Sequence, residues 1–447
     1  MAKKEKKSPT PAPRVATALS DPARAAAGAI TRQKFSAVVL GGGIAGISAA
    51  LELARLGQEV ALVEKTPFFG GRAANFCCKA TDACQKCGAC LVDDRLKTLF
   101  QEPRITLLPR AELTGCAREN GLFHLVVKQQ PEVINPEGCV DCGLCYEECP
   151  AADKGAILTT AVTQNHPRYA VNPGACLYFL DGSCQVCQQI CPPTAKAVDL
   201  TRPAKTLDLT AKALVVATGY RPSDPACRPH YGYGRLPHVI AGYELEEMLR
   251  NGKGPGEPGA EVPRRIGFIQ CVGSRDQEHP YCSQVCCAYT LRLARLLKHR
   301  WPEAEVTSFY MDLQETGRQS PQFQAEARRE VKMVRALPGD LHATPDGCVR
   351  LRYLEEDSGQ PTAADFDLLV LSVGIGPGED NPALAEMLQT SLTPDGFFQA
   401  ADPGQRTQTS QPGLFLAGTA EGPRDIAGCI SQATAAARQV SQYVIEL

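Results

Sequence analysis

Long hydrophobic runs are missing from this sequence of 447 residues. The longest are pieces such as Leu214 to Ala217, far below the roughly 18 apolar residues that a spanning helix needs, so no direct membrane span is expected. Excess positive charge is missing too. Lys plus Arg number 47 against 49 Asp plus Glu, a net charge of −2, which argues against a nucleic-acid partner. The opening Met1-Ala-Lys-Lys-Glu-Lys-Lys7 and the Pro- and Ala-rich stretch after it lack the compact apolar segment of a secretory signal. Walker and G-x-S-x-G motifs are absent, and the seven histidines (His124, His166, His230, His238, His279, His299, His342) show no metal-binding pairing. No internal repeat stands out beyond paired cysteine sets.

Cysteine, by contrast, is abundant, at 21 residues. With no secretory signal these thiols are expected in the reducing cytoplasm, where closely spaced cysteines are metal ligands or redox catalysts more often than disulfides. The chain reads as α/β. Residues 1–34 form a flexible N-terminal extension, and folded structure is expected from Phe35. A strand at Ser36–Leu40, a glycine turn, a helix at Ile47–Leu56 and a strand at Glu59–Val63 make a βαβ opening. Buried strands are expected again at Ala213–Ala217, Ile266–Gln270 and Asp367–Ser372, with a helix at Tyr289–Lys298 and another after Ile426.

Gly41-Gly42-Gly43-Ile44-Ala45-Gly46 fits G-x-G-x-x-G between that strand and that helix, and Glu64 follows at the end of the next strand. The glycines let the backbone turn tightly and admit a pyrophosphate to the helix N-terminus, where Glu64 would accept from a ribose hydroxyl. The turns Ala217-Thr218-Gly219, Gly418-Thr419 with Asp425, and Gly70-Gly71-Arg72 resemble those of two-dinucleotide-domain flavoproteins such as thioredoxin reductase, which favours FAD. In that family a second glycine fingerprint binds nicotinamide. The corresponding place here reads Cys271-Val-Gly273-Ser274-Arg275 and lacks the spacing, so the second nucleotide domain is expected to be degenerate.

Cys139-x2-Cys142-x2-Cys145-x3-Cys149-Pro150 is a bacterial ferredoxin run, and Cys176-x7-Cys184-x2-Cys187-x3-Cys191-Pro192 keeps its end. By the exchange rule of two-cluster ferredoxins, one [4Fe–4S] cube takes Cys139, Cys142, Cys145 and Cys191, and the other Cys149, Cys176, Cys184 and Cys187. A third group, Cys77-Cys78 with Cys84-x2-Cys87-x2-Cys90, follows the Gly70-Gly71-Arg72 turn. It reads as a cluster on Cys78, Cys84, Cys87 and Cys90, as a redox dithiol at Cys84 and Cys87, or as inert thiols. Cys271, Cys282, Cys286 and Cys287 follow no general motif, and Cys116, Cys227, Cys348 and Cys429 read as small apolar fillers.

From residue 35 onward the sequence closely resembles the A subunit of heterodisulfide reductase and its relatives in anaerobic prokaryotes. The matching stretches are Gly41–Gly46, Val63-Glu64-Lys65, Gly70-Gly71-Arg72, the ferredoxin insertion, Tyr231–Arg235, Ile269–Asp276, Tyr281–Cys287, Phe309–Asp312 and Ala417–Thr419 with Gly422–Ile426. The resemblance implies an FAD domain split over 35–130, 201–225 and 378–447, an inserted two-cluster ferredoxin domain at 131–200, and a degenerate NAD(P)-type domain at 226–377. It implies FAD on Gly41, Gly43, Gly46, Glu64, Lys65, Gly71, Arg72, Thr218, Gly219, Gly418, Thr419, Asp425 and Ile426. It also implies a cluster on Cys271, Cys282, Cys286 and Cys287, which makes up to four.

The implied activity is that of an oxidoreductase subunit relaying electrons, in some relatives splitting a pair between two acceptors. Its implied partners are other subunits of such a complex, ferredoxin, and hydrogenase or dehydrogenase donors. The sequence stops at Leu447, without the C-terminal ferredoxin of long family members, so its partners are expected to differ. Three rivals stand beside this reading. They are the flavoprotein subunit of a quinone-interacting membrane-associated oxidoreductase, a flavin-dependent thiol–disulfide oxidoreductase, and a scaffold that only holds clusters for a partner.

Overall fold

The computed structural model describes residues 31–252, 254, 263–314, 320–356 and 358–447. Most of the expected N-terminal extension, residues 1–30, lies outside the described residues. The first strand, Thr31–Leu40, begins four residues before Phe35. Its partner Lys205–Val216 is long, so the backbone of 31–34 continues the ladder in the register Thr31↔Leu207 to Lys34↔Thr210.

Around that pair a seven-stranded sheet runs in the order Ile105–Leu108, Val60–Val63, Thr31–Leu40, Lys205–Val216, Leu122–Gln129, Ala111–Glu119, with Leu414–Leu416 also pairing with Lys205–Val216. The central strands are parallel and the two after them antiparallel. Val38, Val39, Ala61 and Leu62 are fully buried, as central strands covered on both faces must be. On one face the helix Ile44–Arg55 packs against the C-terminal helix Ile426–Glu446. Ala45, Ala49 and Ala50 on the first helix and Ala433, Ala436 and Ala437 on the second share one core. Small side chains there let the two backbones approach.

Gln129 pairs with Lys205, so the chain between them leaves the sheet and returns at the same point. That stretch builds its own core from Val133, Ile134, Ile157, Val171, Cys176, Cys187 and Val198, around a hairpin (Ile157–Thr159, Tyr169–Val171) and three short helices.

The crossing to the second sheet is made at Arg221–Pro222 and the return at Ile375–Gly376, two segments paired antiparallel. The second sheet is parallel, in the order Val239–Ala241, Leu368–Val373, Arg265–Val272, Glu305–Tyr310, Lys332–Arg335. A three-stranded antiparallel sheet spanning Asp340–Phe366 adjoins it. The helix expected at Tyr289–Lys298 runs from Cys286 to Arg300, which places Cys286 and Cys287 in its first turn. Cys90 likewise opens a helix, Cys90–Leu99.

Candidate cofactor cavity and cysteine sets

The glycine turn is sterically compulsory. Gly41 has φ +105°, and a Cβ on it would lie 2.4 Å from the Ala217 carbonyl oxygen. On Gly46 it would lie 1.8 Å from the Gly41 carbonyl oxygen. Gly43 caps the helix Ile44–Arg55. The Gly70-Gly71 turn lies directly against it, with Gly70 N–H donating to the Gly42 carbonyl at 2.8 Å and a Gly71 Cβ 2.9 Å from Gly43 Cα. A helix start offers backbone N–H groups without intrahelical partners, where an anion is held well.

The turn forms one end of a cavity of about 730 Å³. Gly41, Gly43, Glu64, Gly71, Arg72, Thr218, Gly219, Thr419, Asp425 and Ile426 all line it. Glu64 is nearly buried. Its carboxylate accepts from Gly42 N–H at 2.6 Å and from Thr66 N–H and Oγ1, each at 2.7 Å, so it braces the turn. Arg72 Nε donates to the Tyr220 carbonyl at 2.9 Å. Asp425 caps the C-terminal helix through Gly428 N–H at 2.7 Å, so two helix N-termini face the cavity. Thr218 Oγ1 and Arg424 Nε are buried on this wall without a hydrogen-bond partner. A large cavity with a glycine cradle, two helix starts and two unsatisfied polar atoms fits a dinucleotide.

Three expected residues stand elsewhere. Gly46 and Gly418 act by packing; a Cβ on Gly418 would lie 2.5 Å from Ala45 Cβ. Lys65 is half exposed on the outer surface, with Nζ 2.7 Å from Asp380 and 3.5 Å from Glu112. It does not line the cavity.

Cys139, Cys142, Cys145 and Cys191 line one small pocket. Cys187 is pushed up to about 11 by burial and then by the neighbouring Cys176, Cys184 and Cys149 thiols. Cys187 therefore lies near Cys149, Cys176 and Cys184, the residues expected to share a cluster with it. Cys286, which is buried, is raised well above the usual thiol range by burial and by Cys271, Cys287 and Cys282. Cys90 is raised by burial and then by Cys87 and Cys84. Cys78 is exposed, while its neighbour Cys77 is buried and pushed up to about 12 by burial and then by the Glu246 charge.

One local geometry recurs that no motif announced. Lys86, Asp141 and Gln284 are left-handed at φ 52°, 51° and 60°, a conformation rare outside glycine. Each donates its backbone N–H to the sulfur two residues earlier: Cys84 at 3.4 Å, Cys139 at 3.4 Å and Cys282 at 3.3 Å. The same turn in three separate sets gathers thiols and supplies N–H···S bonds, which favour a metal-bound thiolate. Among the described residues no three His, Cys, Asp or Glu side chains stand close enough to hold a single metal ion. A cubane spreads its four thiolates over separate iron corners, so the all-sulfur donor sets suit a cluster.

The cavity touches three of the cysteine-bearing segments. Cys87 lines it from the 77–90 loop, Leu158–Thr160 from the 130–204 excursion, and Gln284, Val285 and Tyr289 from the loop and helix that carry Cys282, Cys286 and Cys287. In the second sheet the strand Arg265–Val272 does not turn straight into a helix. Thirteen residues intervene, Cys282 among them.

Comparison with known proteins agrees with this geometry. Residues 37–102 match the family described as FAD dependent oxidoreductase. The fold resembles the solved thioredoxin reductases of T. acidophilum and Lactococcus lactis, each with a TM-score of 0.51 and 14% identity, covering 92% of this chain and 99% and 100% of theirs. By fold the protein is thioredoxin-reductase-like, with a cavity that fits a dinucleotide. Among curated proteins it is 33% identical over 426 residues to the A subunit of the H(2):CoB-CoM heterodisulfide,ferredoxin reductase of Methanothermobacter marburgensis. It is 33% identical over 429 residues to the iron-sulfur A subunit of the CoB–CoM heterodisulfide reductase of Methanocaldococcus jannaschii. These alignments cover 91% of this chain and 63% and 64% of the relatives. Over that shared length the chain is similar to the heterodisulfide reductase A subunits, and it spans less than two thirds of those relatives.

Proposed function

We propose that this chain is an electron-transfer oxidoreductase subunit of a heterodisulfide-reductase-like complex, carrying FAD and two to four [4Fe–4S] clusters in the cytoplasm. The observation that carries the proposal is one cavity bordered by three cysteine-bearing segments. FAD bound there supplies two-electron chemistry that can also proceed one electron at a time. The chain's own residues hold the pyrophosphate at the glycine turn, brace that turn through Glu64, and gather thiols against the cavity wall. The inserted ferredoxin unit is residues 131–200, and the second unit is a nucleotide domain whose phosphate turn has given way to a cysteine set. Its partners on this reading are sister subunits and a low-potential donor or acceptor such as ferredoxin. No helix among the described residues is long and apolar enough to cross a membrane.

Anaerobic purification tests this. At least about eight irons per chain, the content of two cubes, are expected together with bound FAD and an EPR signal on reduction. Fewer irons in an EPR-silent reduced protein would contradict it. Exposure of Cys87 to the cavity favours a second reading, a flavin-facing dithiol with Cys84. That reading requires a flavin–thiolate charge-transfer band, lost in Cys87→Ser while iron content stays unchanged.

A further inference from the structure

One buried ion pair in the cavity wall has no part in the residues assigned above. Lys79 is 2% exposed and Glu246 5% exposed, with Nζ 2.6 Å from Oε1 and 2.8 Å from Oε2. Both line the cavity. Lys79 Nζ also donates to the Cys77 carbonyl at 3.2 Å, and Glu246 Oε2 accepts from Cys77 N–H at 2.9 Å. Lys79 belongs to the loop after the Gly70-Gly71 turn, and Glu246 to the helix Gly242–Arg250 of the second unit. Arg250 Nη1 donates to the Phe76 carbonyl at 2.8 Å beside them, so the two units are already fastened at this point by another contact.

A buried ion pair gives little net stability over an apolar pair of equal volume, because both charges must leave water. Its position gives these charges a different use. The hydroxyls of Tyr220 and Tyr289, which line the same cavity, are raised first by burial and in part by the Glu246 charge. The Glu246 charge therefore reaches groups along the wall beyond its own partner. Inside a dry cavity a charge acts over longer distances than in water.

We propose that the Lys79–Glu246 pair poises the flavin between its oxidised and reduced forms, an inference that rests on FAD occupying this cavity. Two-electron reduction with uptake of one proton from solvent leaves one added negative charge on the ring system. A buried cation nearby favours that product and a buried anion opposes it. Paired, the two charges largely cancel; removing either leaves the other uncompensated.

The test uses the full chain holding its cofactors, titrated anaerobically with dithionite and reference dyes, with the flavin read from its difference spectrum. Lys79→Met is expected to lower the reduced-to-oxidised flavin ratio at a fixed potential by about tenfold or more, and Glu246→Gln to raise it as much, about 30 mV in opposite directions for a two-electron couple. The double variant is expected to return to within about threefold of the wild type, or about 15 mV. Opposite signs are the signature that a merely structural pair does not give. Shifts of one sign, or no shift in variants that retain FAD, overturn the inference. Glu246→Gln keeps the side-chain shape and the acceptor for Cys77 N–H, so should Lys79→Met fail to fold, Glu246→Gln decides alone: a rise supports the inference, and no rise overturns it. A wild-type chain that holds no FAD sinks the flavoprotein reading and this inference with it, whereas equal ratios with FAD retained sink only this one.

Discussion

Serine at both Cys286 and Cys287 is expected to remove about four irons per chain, one cube's content, while bound FAD stays at the wild-type level. Cys286 is buried near Cys271, Cys282 and Cys287, so two replacements leave too few thiolates for a cube, and serine nearly keeps the volume of the helix start. The FAD cradle is built on other elements, the turns at 41–46, 70–72, 217–219 and 418–419. Iron and flavin should therefore part company in this variant. Iron analysis beside flavin absorbance reads both quantities, and unchanged iron would remove this quartet from the relay.

Gly46→Ala is expected to act on the flavin instead, lowering FAD content at least about tenfold. The new Cβ would stand 1.8 Å from the Gly41 carbonyl oxygen and 3.0 Å from its carbon, so backbone must move at the point where the pyrophosphate would sit. Overpacking of this kind costs about 1–3 kcal/mol or more, and the displaced N–H groups lose their aim. Gly57→Ala is the control. Gly57 has φ +83° with nothing within 4 Å of its Cβ position, so the alanine costs only the left-handed backbone term, about 1–2 kcal/mol, and FAD content should hold. Flavin absorbance after gel filtration, with thermal unfolding of both variants, checks the pair.

Much of the first unit could be read from sequence because its determinants are local. A glycine turn between an apolar strand and a helix requires particular residues in one short window, and Gly41, Gly43, Glu64 and Arg72 all reach the cavity. Lys65 does not, for a reason of period: neighbouring residues at a strand end point to opposite sides, so with Glu64 turned inward Lys65 faces solvent. Lys79 and Glu246 could not be paired in advance, since they lie 167 residues apart and meet only when the second unit docks. The left-handed turns at Lys86, Asp141 and Gln284 escaped for another reason. Position alone, not residue type, imposes that conformation there, and no glycine marks it. The helices from Ile44 and Cys286 each begin three residues before the expected starts at Ile47 and Tyr289, and the helix Cys90–Leu99 was not expected.

Electrons are expected to reach the flavin through thiolate-held clusters and not from a nicotinamide bound in the second unit. This route is tested most directly by mixing the anaerobic, FAD-holding chain with NADH or NADPH and following the flavin absorbance. The expected result is a flavin that stays oxidised with either nucleotide and is reduced once a low-potential one-electron donor such as reduced ferredoxin is added. Prompt bleaching of the flavin by NADH or NADPH alone would contradict it.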